Sequence, residues 1–303
     1  MNKQGPGKID YVGWSWNPVT GCLKKCSYCY AKALAWGRVK SMYLSNPHVI
    51  TGDPADPFAP RWWPGRMDEP KKLKKPARIF VTDMGDLFGP WMSTPHVFDI
   101  GWATRVSIME TVRACPQHTF LFLTKFPENL PQEGWPENCW VGVTATDQRT
   151  MVGAVTHLSV VKAPVKFLSG EPLQGSWGED LRMLMANLQG IDWVILGAQS
   201  KWPPKKAEWP WIMGVLEACA RKGIPLWMKD NINDGWPDFP LKIKLKKELP
   251  VCRVCGCDNS HACHTTDGPC HWVSPGLCSA CVAKEVTDGS KSSDSGPTQQ
   301  LEG

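Results

Sequence analysis

Cys22, Cys26 and Cys29 stand in the run Cys-Leu-Lys-Lys-Cys-Ser-Tyr-Cys. Cysteine thiolates are the usual protein ligands of iron–sulfur clusters, and a short loop can wrap three of them around one cluster. Four ligands would close a 4Fe–4S cluster for electron transfer. Three leave one iron open, and an open iron can bind and reduce a ligand. Zinc is the weaker reading, because it needs a fourth ligand and usually builds from closer paired cysteines. Inert structural thiols fit this spacing and position least.

A second group runs from Cys252 to Cys281 and contains seven of the 13 cysteines. Cys252/Cys255 and Cys278/Cys281 are two C-x-x-C pairs, which read as two knuckles around one tetrahedral zinc. Cys257, Cys263 and Cys270 remain, beside His261, His264 and His271, for a second zinc or an auxiliary iron–sulfur cluster. Zinc is preferred. A module this small buries little apolar area, so metal would supply its folding energy. Cys115, Cys139 and Cys219 sit in apolar contexts and read as core thiols.

Such groups need elements to hold them. Near-continuous apolar runs such as ARIFVT, TFLFLT and DWVILG suit strands buried on both faces. Strands are predicted over 11–15, 78–82, 119–124, 139–144, 165–169, 193–197 and 225–229. Helices are predicted between them, over 31–43, 95–115, 148–160, 179–188 and 210–222, the last closed by Gly223. This alternation predicts an α/β fold, an open sheet or a barrel. Most strands end in polar residues: Asp83 and Asp86, Lys125, Thr144 and Thr146, Ser169 and Glu171, Gln199 and Ser200, Lys229 and Asp230. One such cluster would only mark a strand end; six favour a functional rim, which in α/β barrels lies at the C-terminal strand ends.

The order of the chain is then a main domain (1–240), a basic linker (241–251), a cysteine-rich metal-binding module (252–283) and a disordered tail (284–303). An insertion at 46–76 ends in Lys71, Lys72, Lys74 and Lys75, read as a solvated loop face. The linker carries Lys242, Lys244, Lys246 and Lys247, a set that suits phosphate contacts. Hydrophobic residues make up 42% of the 303, which excludes global disorder. No apolar run reaches membrane-span length and the N-terminus has no signal-type stretch, so a cytoplasmic protein without a membrane partner is expected. The net charge of +5 permits a nucleic-acid partner without demanding one.

The triad spacing, with Tyr28 before its last cysteine, resembles the signature of radical S-adenosylmethionine (radical SAM) enzymes. The resemblance spans roughly residues 8–240 and is nearest to a phage-associated branch without an assigned function. It is carried by GWSWNPVTGCLKKCSYCYAKALA, FVTDMGDLF, FLFLTKFPENL, WVGVTATDQ, FLSGEPL and WVILGAQS. It implies a partial (β/α) barrel whose 4Fe–4S cluster sits in the loop after the first strand. It also implies S-adenosylmethionine chelated by the open iron, a 5′-deoxyadenosyl radical that abstracts a substrate hydrogen, and a reductant such as flavodoxin or ferredoxin. By the same resemblance, Asp83, Gly85 and Asp86 occupy the place of an element that meets the cofactor ammonium. Thr144 is a candidate ribose contact, Ser169 and Glu171 reach cofactor or substrate, and Lys125 and Lys229 pair with a carboxylate or phosphate.

The leading expectation is radical modification or isomerisation of a base adduct in phage DNA, of the thymidine-hypermodification type. The alternatives are radical repair or modification of another nucleotide, a peptide or a small metabolite, and a non-catalytic zinc-containing nucleic-acid binder.

Overall fold

The computed structural model describes residues 1–92, 100–199 and 205–232, and from the cysteine-rich segment 251–257, 263–265, 268–270, 272–274 and 277–282. In chain order the first elements are β1 (Asn2–Lys3), β2 (Trp14–Trp16), β3 (Val19–Thr20), α1 (Tyr30–Trp36), α2 (Lys40–Leu44), β4 (Arg61–Trp62) and β5 (Arg78–Val81). Then come α3 (Ile100–Arg113), β6 (Thr119–Thr124), β7 (Cys139–Thr144), α4 (Gln148–Leu158) and β8 (Val165–Gly170). The series closes with α5 (Leu181–Asn187), β9 (Trp193–Leu196), α6 (Trp209–Lys222) and β10 (Leu226–Met228).

Eight strands form one sheet in the order β1-β2-β5-β6-β7-β8-β9-β10. β1 runs antiparallel to β2, and every other neighbour pair is parallel. The parallel strands follow chain order with no reversal, as in a β/α barrel rather than a doubly wound sheet. Each strand splits its apolar residues between two faces. Phe120, Phe122, Val141 and Val143 face Ile108, Val112, Met151 and Ala154 of α3 and α4, whereas Phe80, Leu121, Trp140, Phe167 and Trp193 form a second cluster on the other face.

The sheet is curled. The Tyr11 ring lies 6.4 Å from Phe80 on β5, 5.6 Å from Trp193 on β9 and 6.3 Å from Trp227 on β10. In a flat sheet β5 and β9 would stand roughly 19 Å apart, at about 4.8 Å per strand. One ring touches both only because the strands wrap around it. Gly142 makes room for this interior, since a Cβ there would lie 2.3 Å from the Phe167 ring. Gly142→Ala is therefore expected to destabilise the fold by about 1–3 kcal/mol through overpacking, read as a lower denaturant midpoint with an unchanged slope.

Several boundaries differ from the sequence reading. The strand predicted over 11–15 begins at Trp14, because Tyr11 leaves the ladder to fill the curl. The helix predicted over 31–43 breaks at Gly37 into α1 and α2. The 46–76 insertion is more than a solvated face. Its β4 pairs with β3, and it buries Phe58 and Arg61. Backbone carbonyls of Pro54, Asp56 and Ala59 accept from both Nη atoms of the buried Arg61 guanidinium, which offsets part of the cost of burying its charge. Lys71 pairs with Asp68 at 2.6 Å, while Lys72, Lys74 and Lys75 are exposed as expected. The four linker lysines and the tail lie outside the described residues. Two short hairpins, β11 (His264–Thr265) with β12 (Gly268–Pro269) and β13 (Trp272–Ser274) with β14 (Leu277–Cys278), frame the cysteine-rich segment. Among the described residues, no helix is long and apolar enough to cross a membrane.

Candidate active site and metal centres

The first cysteine loop leaves the C-terminal end of the sheet after β2 and β3. Gly21 has φ +89°, and a Cβ there would stand 2.4 Å from the Ala59 carbonyl oxygen. A Cβ at Gly85 would stand 2.7 Å from the Gly21 carbonyl oxygen, and the Gly21 amide donates to Met84 O at 2.9 Å. The loop after β2 and the loop after β5 thus run backbone against backbone, which needs glycine at both places. The close approach that Gly85 permits is to Gly21.

The Cys22 amide donates to Phe58 O, and the Cys29 sulfur caps α1 by accepting from the Lys32 amide at 3.3 Å. Lys24 Nζ donates to Lys125 O at 2.7 Å, and Lys125 Nζ stands 5.9 Å from the Tyr28 ring. These contacts seat the loop on the end of β6. Burial pushes the Cys22 thiol up to about 12, and Asp86, Cys26 and Cys29 add to this, against a backbone hydrogen bond from Lys24 that lowers it. Such a thiolate is favoured only opposite a cation. Among the described residues, the three sulfurs do not form one of the compact four-cysteine groups found nearer the C-terminus.

Beside the loop, a cavity of about 960 Å³ opens at the C-terminal strand ends. Asp83, Gly85, Asp86, Lys125, Glu171 and Lys229 line it. Thr144 and Ser169 stand one contact behind: Thr144 Oγ1 accepts from Lys125 Nζ at 3.4 Å, and Ser169 Oγ donates to Glu171 Oε2 at 3.2 Å. Glu171 Oε1 pairs with Lys229 Nζ at 2.9 Å, and its Oε2 also accepts from the Tyr11 hydroxyl at 3.1 Å. Asn17 Nδ2 donates to Asp83 Oδ1 at 2.5 Å, while Asn17 Oδ1 accepts from the Met84 amide. Burial pushes the Asp83 carboxyl up, and hydrogen bonds from Asn17 and Ser15 pull it back.

Asp86 is committed to its own loops. Its Oδ1 accepts from Thr124 Oγ1 at 2.7 Å and the Phe88 amide at 3.0 Å, and its Oδ2 from the Lys125 amide at 3.0 Å. It ties the loop after β5 to the end of β6 and acts as a positioning carboxylate. Asp86→Ala is expected to cost about 3 kcal/mol of stability, since buried donors to a charged acceptor lose their partner. Urea unfolding of the purified chain measures it.

Tyr11, Asn17 and Thr82 are site residues the sequence reading did not select. Thr82 holds φ +62°, a strained backbone for a β-branched residue. Its Oγ1 is buried on the cavity wall without a hydrogen-bond partner among the described residues. The position of Asn17, directly after the first strand and before the cysteines, was the available signal for it. Nothing in the sequence marks Thr82 apart from its place at a strand end.

In the C-terminal segment all seven cysteines are described, and six fall into two groups of four. One is Cys252, Cys255, Cys257 and Cys278; the other is Cys257, Cys263, Cys270 and Cys278. Cys281 belongs to neither, but it is buried beside them and its thiol interacts with those of Cys255, Cys278 and Cys252. His261 and His271 lie outside the described residues. The buried cysteines join the same apolar cluster as Tyr11 and Trp193.

No curated protein matches the chain. Among solved structures, a spore photoproduct lyase mutant with bound AdoMet and dinucleoside spore photoproduct is similar, at 12% identity and a TM-score of 0.37. The similarity covers 67% of this chain and 59% of that one. A family profile described as protein of unknown function, DUF5131, matches residues 6–238. That span is most of the chain and includes the first cysteine loop and every parallel strand of the sheet, so the chain belongs to the DUF5131 family.

Proposed function

We propose that the chain is a radical SAM enzyme acting on a base adduct in DNA. The observation that carries this reading is the three-cysteine loop seated beside a large cavity, lined by both charged and apolar groups, at the C-terminal ends of curled parallel strands. The donor set fits a 4Fe–4S cluster: three partly buried thiols on one short loop, with burial pushing Cys22 up. The cavity fits a zwitterionic cofactor, because Thr82 Oγ1 is an orphaned buried hydroxyl there and Asp83 and Lys125 offer both charge signs. When bound, the cluster and S-adenosylmethionine supply a 5′-deoxyadenosyl radical, given one electron from a donor such as flavodoxin or ferredoxin.

The chain's part is to bind, orient and exclude water. Asn17 and Tyr30 hold the Asp83 segment, with the Tyr30 hydroxyl donating to Asp83 O at 2.7 Å. Lys125 reaches the cavity from the end of β6, where its carbonyl also anchors Lys24 of the cysteine loop. Glu171 and Lys229 present a paired carboxylate and ammonium on the opposite wall. The DNA reading is supported by Lys8, Arg38 and Arg66 on the cavity wall and by the net charge of +5. The finer assignment is isomerisation of an amino-acid adduct on thymine, which requires abstraction of a carbon-bound hydrogen.

Anaerobic purification followed by dithionite and S-adenosylmethionine tests the reading. A brown protein that releases 5′-deoxyadenosine and methionine is expected. With DNA carrying a deuterated thymine adduct, deuterium is expected in the 5′-deoxyadenosine. A colourless chain that cleaves no S-adenosylmethionine overturns the class. Cleavage without deuterium transfer overturns the substrate alone.

A further inference from the structure

We infer that the cysteine-rich segment holds two zinc ions bridged by two shared thiolates, Cys257 and Cys278. The two four-cysteine groups have these two residues in common, and in each group all four sulfurs lie within 4.8 Å of one another. Cys252 and Cys255 complete one tetrahedron; Cys263 and Cys270 complete the other. Within each group one sulfur separation matches this use: Cys255 to Cys278 is 3.7 Å and Cys257 to Cys270 is 3.6 Å; Cys255 also approaches Cys263 of the other group at 3.4 Å. A tetrahedron built on a zinc–sulfur distance of about 2.3 Å has an edge of about 3.8 Å. An auxiliary 4Fe–4S cluster would separate its cysteine sulfurs further, because each binds a different iron.

Counting supports sharing. Two independent four-thiolate sites need more cysteines than the seven present in this segment. Six thiolates around two divalent ions leave a net charge of about −2, less than two separate tetrads would carry. Loading releases the thiol protons, so binding weakens as pH falls. Cys281 is in neither four-cysteine group, although its sulfur interacts with those of Cys255, Cys278 and Cys252. The shared pair also explains how short hairpins with little apolar area hold together. Since Cys252, Cys257, Cys270 and Cys278 pack in the same cluster as Tyr11 and Trp193, the metal pair braces the closed interior of the curled sheet.

The test uses the full chain with Cys22, Cys26 and Cys29 all replaced by alanine, so that iron at the first loop does not contribute. Metal analysis is expected to find two zinc ions per chain. Reconstituted with cadmium-113, the same chain is expected to show two cadmium resonances with mutual scalar coupling through the shared sulfurs. Cys281→Ser is expected to keep both ions, Cys263→Ser to keep one, and Cys257→Ser to disturb both. Three outcomes overturn the inference: a single zinc, two cadmium signals without coupling, or iron with sulfide. Loss of metal in Cys281→Ser but not in Cys257→Ser also overturns it and restores the two-knuckle ligand set. The cadmium measurement needs no further substitution, so a variant that fails to fold does not blunt the test.

Discussion

Replacing any one of Cys22, Cys26 and Cys29 by alanine is expected to abolish 5′-deoxyadenosine formation while the curled sheet stays folded. The thiols are only partly buried, and none belongs to the clusters that line either face of the sheet. The local losses are small. Cys22 and Cys29 each give up a hydrogen bond accepted from a nearby amide, of Lys24 and Lys32 respectively. Loss of such a helix cap costs about 1 kcal/mol. The chemical loss is total, because a cluster already short of one protein ligand would keep only two. Changes one shell out from a metal typically cost about 10–100-fold, and direct ligand loss exceeds that. Iron and sulfide content, product formation and the thermal melt of each variant measure the three parts separately. Full activity in any of the three variants would falsify the radical reading. Loss of the melt together with activity would instead show that the loop holds the fold.

Glu171→Gln is expected to lower stability by about 3 kcal/mol, because it leaves the largely buried Lys229 ammonium with only the weaker influence of Asp10 and Asp230. Glu171 and Lys229 side chains are each 19% exposed, so the lower end of the usual range applies. Burial alone would lower the Lys229 pKa, but Glu171 outweighs it through charge and hydrogen bonding, and the folded value is raised. A lysine raised on folding contributes stability that is full below its unfolded value of about 10.5. That contribution disappears as pH rises through the folded value. The wild-type chain should therefore lose stability above about pH 10.5, and Glu171→Gln should lack that part of the decline. Adding Lys229→Met to Glu171→Gln removes both charges and should recover most of the lost stability. Turnover of the DNA adduct should not recover, since the paired groups face the cavity. Chemical denaturation across pH, run beside product assays, separates these effects. A double variant with restored turnover would remove the pair from the reaction and leave it a structural brace.

The residues of both cysteine groups, the order of the strands and the polar character of their C-terminal ends were legible in the linear chain. Local pattern carries those features. A strand buried on both faces reads as a continuous apolar run, as in TFLFLT, and the observed β6 and β7 coincide with their predicted bounds. Gly223 closes α6 in the left-handed conformation its place in the sequence implies. Spacing likewise singles out metal ligands, because short loops limit how far thiols can separate.

Tertiary structure decided the rest, for reasons no local window contains. Tyr11 reads as a strand residue, yet it fills the curl between β5, β9 and β10 and donates to Glu171, far along the chain. Asp86 reads as a free carboxylate beside a glycine, yet donors from β6 and the loops around it occupy both its oxygens. Gly85 also packs closely on the Gly21 backbone, a contact far along the chain. Thr82 becomes a site residue only because its hydroxyl is left buried and unmatched on the cavity wall. The cysteine partition is the sharpest case. Spacing pairs Cys278 with Cys281, and the folded hairpins also bring Cys257 beside Cys278, so that these two residues are common to both four-cysteine groups. Ligand type is a property of the residue; which sulfurs share an ion depends on distances that only the packed chain sets.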